Sequence, residues 1–589
     1  MTSPASWNRR QIITTALGAA VGLLPGCRYR RTPLSPLPPG ELVGADFSLG
    51  HLVRDQARNE SLFDEIQLAS LPRVECDVVI VGAGVSGLSA ARRLKQQGID
   101  DLVVLELESV SGGTARGDQA GAFSTPVPWG AHYIPAPMKH QTELIALLEE
   151  LGALEGVDSE GHPIPREEWS PRAPESRFWF RGSWYEGLYA WPGASDDDLN
   201  QLHKFESLID AWVAWRDEQG RRAFIIPADQ GSDSAEVRAL DRLSMHDWLV
   251  SHELTSERLL DYVDYACRDD YGLGLRQTSA WAGLFYFAAR QATPEGESRP
   301  YLTWPEGNGF VTRFLARGLN RLETSTAVAR VIPAASVSER ARVIAVRPDG
   351  SRRLFAAKQV VFAAPQMLAP YMIAGYDSSA LLPWRGTDGE GDNATESNEE
   401  AWEAAPATRG EAAREFRYAA WVVANLQLDR APKETGHELA WDNVILGSKS
   451  LGYLATSYQR GDDHGPPVWS WYYPVIDDDP SQPRRRLLEL DRDAWAEIVL
   501  TDLERAHGDI RERVQRLDVM RWGHAMIQPV PGFRFGAARR LGSEPWRGIH
   551  FAHSDTSGLP LFEEAFERGL RVADAIAKRL KDDAGEEAA

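Results

Sequence analysis

Residues 76–87 read CDVVIVGAGVSG, a β-branched apolar run that closes on three glycines, Gly82, Gly84 and Gly87. The run from Cys76 to Val81 predicts a short strand buried on both faces, the central position of a parallel sheet. Helical spacing begins beyond the glycines, from Leu88 to Gln97. Each glycine has a mechanical reason: Gly82 for the tight turn, Gly84 for close backbone approach to a pyrophosphate, Gly87 for helix packed against strand. The helix then aims its partially positive N-terminus at the phosphates. A second strand, Leu102 to Leu105, ends in Glu106, placed to accept hydrogen bonds from a ribose hydroxyl. This order predicts a dinucleotide-binding βαβ unit. NAD and FAD offer the same ADP half to such a turn, so the unit alone leaves both open.

The 589 residues exceed what one hydrophobic core serves, so at least two folding units are expected. Apolar residues make up 43% and charged residues 25%, an ordinary globular balance. The one long apolar run, Ile12 to Leu24, is shorter than the roughly 20 residues of a membrane span. A net charge of -21 argues against a nucleic-acid partner, which needs clustered Lys and Arg. That acidity either attracts cationic substrates or only maintains solubility. Cys27, Cys76 and Cys267 have no CxxC spacing, so neither a metal site nor a disulfide framework is indicated. Arg9 and Arg10 precede an uncharged stretch, Gln11 to Gly26, in the order of an export signal. The segment resembles a bacterial twin-arginine signal, which exports folded proteins to the periplasm. Leu24-Pro25-Gly26-Cys27 resembles a lipoprotein cleavage box, with a lipid on Cys27 as the expected membrane association. Pro33, Pro36, Pro38 and Pro39 then read as a stiff tether.

Just past Glu106, residues 109–117 read SVSGGTARG, and four distant segments together resemble the flavin amine oxidase superfamily, which includes protoporphyrinogen oxidase and phytoene desaturase-like enzymes. The resemblance implies FAD. It implies an α/β fold in which a Rossmann-like FAD-binding domain, a central parallel sheet with helices and a small antiparallel β crossover, is interleaved with an α+β substrate-binding domain. The FAD-binding segments are expected at 74–135, 300–370 and 515–580, with the substrate domain at 136–299 and 371–514. By resemblance the cofactor residues are Gly82, Gly84, Ser86, Gly87 and Glu106 at the first turn, and Gly112, Gly113, Thr114 and Arg116 in the second signature. The family usually carries arginine directly after the paired glycines, where this chain has Thr114, so Arg116 is offset by two. Trp129, Gly130 and Ala131 fit the segment that passes beside the flavin ring. Val328 fits the adenine-facing valine, and Ala364 follows the next apolar strand. Residues 548–574 resemble the closing strand and helix, with Ser554, Asp555 and Phe562 beside the flavin. Asp555 stands one step later than the family's acid, and Leu561 or Phe562 stands where the aromatic cage often has tyrosine.

Flavin supplies the redox chemistry in this family, so few side-chain catalysts are expected. Of eight lysines, Lys433 and Lys449 lie in the segment from which many amine oxidases place a lysine near the flavin, and Lys449 precedes a strand-like run. His132 is the candidate for removing a proton from a substrate ammonium, or else makes a structural hydrogen bond. Ser244 reads as an N-cap before Asp247, and Arg258 to Arg290 as a helical cap. Within it, Arg268, Asp269 and Asp270 face either a cavity or, as sequence alone favours, solvent at a helix end. Gly386 to Arg414 reads as a surface insertion, and Trp441 to Gln459 with Val468 to Val475 as strands of a pocket floor. Three functions follow. The first is oxidation of an amine, with a polyamine in view, and reoxidation by oxygen or a quinone. The second is desaturation of an apolar or polycyclic substrate. The third is a non-catalytic FAD-binding partner protein.

Overall fold

A computed structural model describes residues 36–588, apart from 45–46, 58–62, 120, 297, 337–338, 379–405, 460–464 and 477–480. Arg9, Arg10, Cys27 and Pro33, and the insertion up to residue 405, lie outside the described residues. The elements that position the site are, in chain order, β1 (Leu42–Gly44), β2 (Arg73–Val81), α1 (Val85–Gln96), β3 (Leu102–Leu105), β4 (Ser176–Phe180), β5 (Ser183–Glu186), α2 (Glu257–Tyr271) and α3 (Ala280–Ala288). There follow β6 (Leu322–Glu323), β7 (Ala327–Ile332), β8 (Ala341–Val346), β9 (Arg352–Phe362), α4 (Arg409–Arg414), β10 (Tyr418–Leu428), β11 (Asp442–Ile445) and β12 (Gly452–Ala455). The chain ends with β13 (Val468–Val475), β14 (Val514–Ile527), β15 (Ile549–Phe551) and α5 (Phe562–Ala588).

The fold is α/β. Seven strands form one sheet in the order β6-β3-β2-β9-β8-β7, with β15 also paired to β9. β2 lies parallel to β3 and β9, and the three share a register in which Val81 faces both Leu105 and Phe362. Because both faces are covered, Val78 to Val81 are all buried, which is why the sequence shows a continuous apolar run and not an alternation. β7, β8 and β9 run antiparallel and make the small crossover. On one face α1 and α5 pack together so closely that a Cβ on Gly569 would sit 2.4 Å from the Ser86 carbonyl. Arg93 of α1 also holds Asp574 of α5 at 2.7 Å.

Eight strands form the second sheet in the order β1-β14-β10-β13-β12-β11-β4-β5. β10 and β13 pair over eight residues, with Val423 against Tyr472 and Trp421 against Pro474. Three sequence expectations change here. Val514–Ile527, which begins the segment expected with the FAD-binding part, is a strand of this second sheet. The proline tether is pinned from Pro38 onward: Arg492 donates to the Pro38 carbonyl, Leu517 N–H to Pro39, and β1 pairs with β14. The C-terminal end of the expected surface insertion, Arg409–Arg414, is a capped helix with Arg409, Gly410, Ala412 and Ala413 buried. A third body of packing belongs to the helices between residues 196 and 288, where Trp248, Leu259, Tyr271, Trp281 and Phe285 share one core. Ser244 caps its helix as expected, accepting from Asp247 N–H at 3.1 Å.

Candidate active site

The glycine turn lies at the C-terminal ends of β2 and β3, the place where open α/β sheets hold ligands. Gly82 has φ of +101°, and a Cβ on Gly87 would stand 2.0 Å from the Gly82 carbonyl oxygen. Only glycine lets α1 start against this turn. Ser86 is buried in the first turn of α1. Glu106 accepts from the N–H of Ala83 at 2.6 Å and of Glu108 at 2.8 Å, which sets its carboxylate beside the turn. Burial pushes that carboxyl above its ordinary range, against those two N–H donors. Thr326, two residues before Val328, donates its N–H to the Glu106 carbonyl, so the start of β7 adjoins the same corner. Ala364 follows β9, whose end joins the turn through Ala363 N–H to the Val81 carbonyl.

The second glycine pair folds onto the first. Gly112 N–H donates to the Ala83 carbonyl at 2.8 Å, and a Cβ on Gly113 would sit 3.2 Å from Gly84 Cα. Arg116 is buried 4.0 Å from Glu108, and its Nε has no hydrogen-bond partner among the described residues. The offset arginine therefore reaches this corner after all. Thr114 joins corner to cavity: its carbonyl accepts from Ala131 N–H, and a Cβ on Gly130 would lie 2.0 Å from that oxygen. A bare backbone cradle, an acid at the ribose position and an orphaned buried guanidinium nitrogen fit a bound dinucleotide.

Beyond Thr114, Gly130, Ala131 and His132 opens a cavity enclosing about 1320 Å³, open solvent at its mouth included. Its walls come from β10, β11, β12 and β13 of the second sheet, from α2 and α3, and from the start of α5. Aromatic rings dominate: Tyr133 and Tyr301 have centroids 4.7 Å apart, and Trp441 stands 5.7 Å from Tyr301. Carboxyl groups are set among them, namely Glu175, Asp269, Asp270, Asp442 and Glu563. Asp270 is paired with Arg290 at 2.9 Å, and Arg290 lies over the Tyr286 and Tyr133 rings. Asp442 accepts from the Tyr265 hydroxyl at 2.8 Å. Burial pushes Asp442 and Glu563 up to about 7 each, and Asp269 well above the carboxyl range, with Asp270 and Asp442 adding repulsion. Such a pocket favours a ligand that brings positive charge.

Of the residues expected from sequence, Thr114, Gly130, Ala131, His132 and Phe562 line this cavity. His132 is pushed down to about 4 by burial, so it is neutral at physiological pH. Lys449 does not belong here. It is exposed, outside the cavity walls, where its carbonyl accepts from Arg268 at 3.3 Å, and Lys433 is exposed too. No lysine lines the cavity, and β10 contributes Trp421 and Val423 to the wall. Trp129 is buried packing, its indole N–H donating to Asp118. Ser554 opens the short turn after β15. Asp555 is wholly buried, its Oδ2 accepting from the Tyr418 hydroxyl at 2.5 Å and Gln366 N–H at 2.7 Å, with His553 3.2 Å from Oδ1. It pins the closing turn to β10. Asp269 and Asp270 are the larger surprise, for they face the cavity and not solvent. The signal was present: Asp269 stands four residues after Tyr265, on the aromatic face of α2.

A family model described as flavin containing amine oxidoreductase matches residues 85–577. Putrescine oxidase of Kocuria rosea is 32% identical over 192 residues, 32% of this chain; the match spans about a third, 34%, of that relative's length. The structure of a putrescine oxidase bound to putrescine superposes with a TM-score of 0.59 at 18% identity, covering 86% of this chain and 99% of the other. Cyclohexylamine oxidase from Brevibacterium oxydans gives 0.58 at 18% identity, covering 86% and 100%. These likenesses establish the fold, and the family's cofactor is FAD. The chain belongs to the flavin-containing amine oxidoreductase family.

Proposed function

We propose that this protein oxidises amines, most readily those with a second cationic centre, such as a polyamine, and returns the electrons to oxygen or to a quinone. The observation that supports this reading is the set of carboxyl groups, Glu175, Asp269, Asp270, Asp442 and Glu563, inside an aromatic-walled cavity next to the cofactor corner. A desaturase of apolar substrates needs an apolar channel, and a lining that carries five carboxyl groups would cost it substrate binding.

FAD, held by Gly82, Gly84, Ser86, Gly87, Glu106, Gly112, Gly113 and Arg116, supplies the hydride acceptor when bound. The residues of the chain do the rest. Tyr133, Tyr301 and Trp441 offer ring faces to the substrate cation. Asp442, steadied by Tyr265, faces the same space and supplies a countercharge once an ammonium enters. Thr114, Gly130 and Ala131 fix the backbone between the cofactor corner and the substrate. Anaerobic mixing of the flavin-loaded protein with putrescine, spermidine and an aromatic amine tests the proposal. Bleaching of the oxidised flavin band is expected, and its absence with all three would refute the amine reading. Oxygen consumption in air, or reduction of an added dye, with the same amines would dispose of a non-catalytic role.

Export belongs to the proposal as well. Arg9, Arg10 and Cys27 give the order of a twin-arginine lipoprotein signal, so the loaded protein is placed in the periplasm, tethered by lipid on Cys27. Exchange of Arg9 and Arg10 for lysine should retain it in the cytoplasm; unchanged export would count against the assignment.

A further inference from the structure

We propose that Asp269 is the proton acceptor for the substrate ammonium: its carboxylate takes one proton from R–NH3+, becomes the carboxylic acid, and leaves the amine with a free lone pair. One N–H bond breaks, one O–H bond forms, and no electrons change hands. The inference rests on the amine reading above and assigns a residue to the step that must precede oxidation, since a protonated nitrogen has no lone pair to assist loss of hydride from the adjacent carbon.

The geometry singles out Asp269 among the acids of the cavity, of which Glu175 is exposed. Asp270 is held by Arg290 at 2.9 Å and lies 3.5 Å from the Tyr133 hydroxyl. Asp442 holds the Tyr265 hydroxyl, and Glu563 is bonded to its own backbone N–H in the first turn of α5. Asp269 lines the same space, yet among the described residues no donor reaches its carboxylate. Asp269 is half-buried, so its carboxylate keeps access to the space it lines.

The surroundings also give Asp269 the strength to compete for an ammonium proton. Burial raises it first, then the charges of Asp270 and Asp442, with Arg290 and Arg268 opposing. Tyrosines 133, 265, 271, 286, 301 and 472 complete its titratable neighbours; burial raises all six, so they stay neutral near pH 7. An alkyl ammonium titrates near about 10.4, as lysine does. His132, pushed down to about 4, is a weaker base than a carboxyl raised well above its ordinary range.

The test uses the flavin-loaded protein with two substrates, an ordinary alkyl amine and a weakly basic fluorinated amine that enters uncharged. In wild type, kcat/KM for the alkyl amine should fall toward acid pH with the titration of Asp269. The fluorinated amine should not show that limb. Asp269→Asn should slow flavin reduction by the alkyl amine at pH 7 about 10²- to 10³-fold and move its optimum to the alkaline side. With the fluorinated amine the loss should stay within about 3-fold, a contrast that a merely structural role would not produce. Equal losses with both amines, or an unchanged pH profile in the variant, overturn the assignment. If Asp269→Asn fails to hold flavin, the two wild-type profiles decide alone: identical acid limbs for both amines overturn it. Should no amine bleach the wild-type flavin, the amine reading falls and this assignment with it.

Discussion

The cofactor corner and the substrate cavity meet at Thr114 but are built in opposite ways. In the corner, the working groups are backbone: the Gly82–Gly87 contact, Gly112 N–H on the Ala83 carbonyl, and Gly113 against Gly84 are all enforced within 32 residues of sequence. In the cavity the working groups are side chains, brought from β10 to β13, α2, α3 and α5, whose positions run from Tyr265 to Glu563. A backbone site is specified by what is missing at Cβ, and a side-chain site by which face of each element turns inward. The first therefore tolerates almost no substitution, whereas the second should respond in graded steps.

The sharpest test of that contrast is Gly87→Ala. One added carbon, 2.0 Å from the Gly82 carbonyl oxygen, must displace α1 or the turn. Flavin content should fall at least about tenfold, measured by absorbance per chain after purification; a fully yellow variant would break the backbone account. Next in size, Asp442→Asn should raise KM for a cationic amine by about 10- to 100-fold and leave flavin content unchanged, because truncating a buried charge partner costs binding.

The same variant carries a pH signature. Asp442 titrates near 7 in the folded chain and near its ordinary value of 3.8 when unfolded. Its contribution to stability is full below about 3.9 and is lost as pH rises through about 7. Thermal melts of the substrate-free protein should thus lose stability between these limits, with a shallower slope for Asp442→Asn. A polyamine should raise Tm more at pH 8 than at pH 6. His132→Gln should have a smaller effect, lowering kcat/KM a few-fold with no displacement of the pH profile, because His132 is already neutral. Lys449→Ala should change neither flavin content nor turnover, as its side chain is exposed outside the cavity. A loss of activity there would mean that the cavity has been drawn around the wrong residues.

Legibility followed the same division. The strand, turn, helix, strand and acid between Cys76 and Glu106 could be read in one pass, since local spacing dictates them. Arg116 was legible in type and obscure in position; folding around Gly112 and Gly113 brings it to the corner in spite of its offset. Lys449 misled because chain order says nothing about which side of a sheet a loop leaves from. Asp269 and Asp270 read as a solvated helix end because two adjacent acids are usually exposed. Their burial depends on Arg290, 20 residues away, and on Asp442 and the rings of the second sheet, none of which is local. Val514–Ile527 joined the second sheet for a similar reason: its partners, β10 and β1, lie about a hundred and nearly five hundred residues earlier.

The contact between Ser86 on α1 and Gly569 on α5 has a consequence for the order in which the protein is made. The cradle that emerges from the ribosome early is backed by a helix that emerges much later, with Arg93 and Asp574 clasping the two together. A nascent chain that has not yet reached Phe562–Ala588 has the whole glycine motif but no second wall behind it. Cofactor capture is thereby tied to a segment made long after the glycine motif.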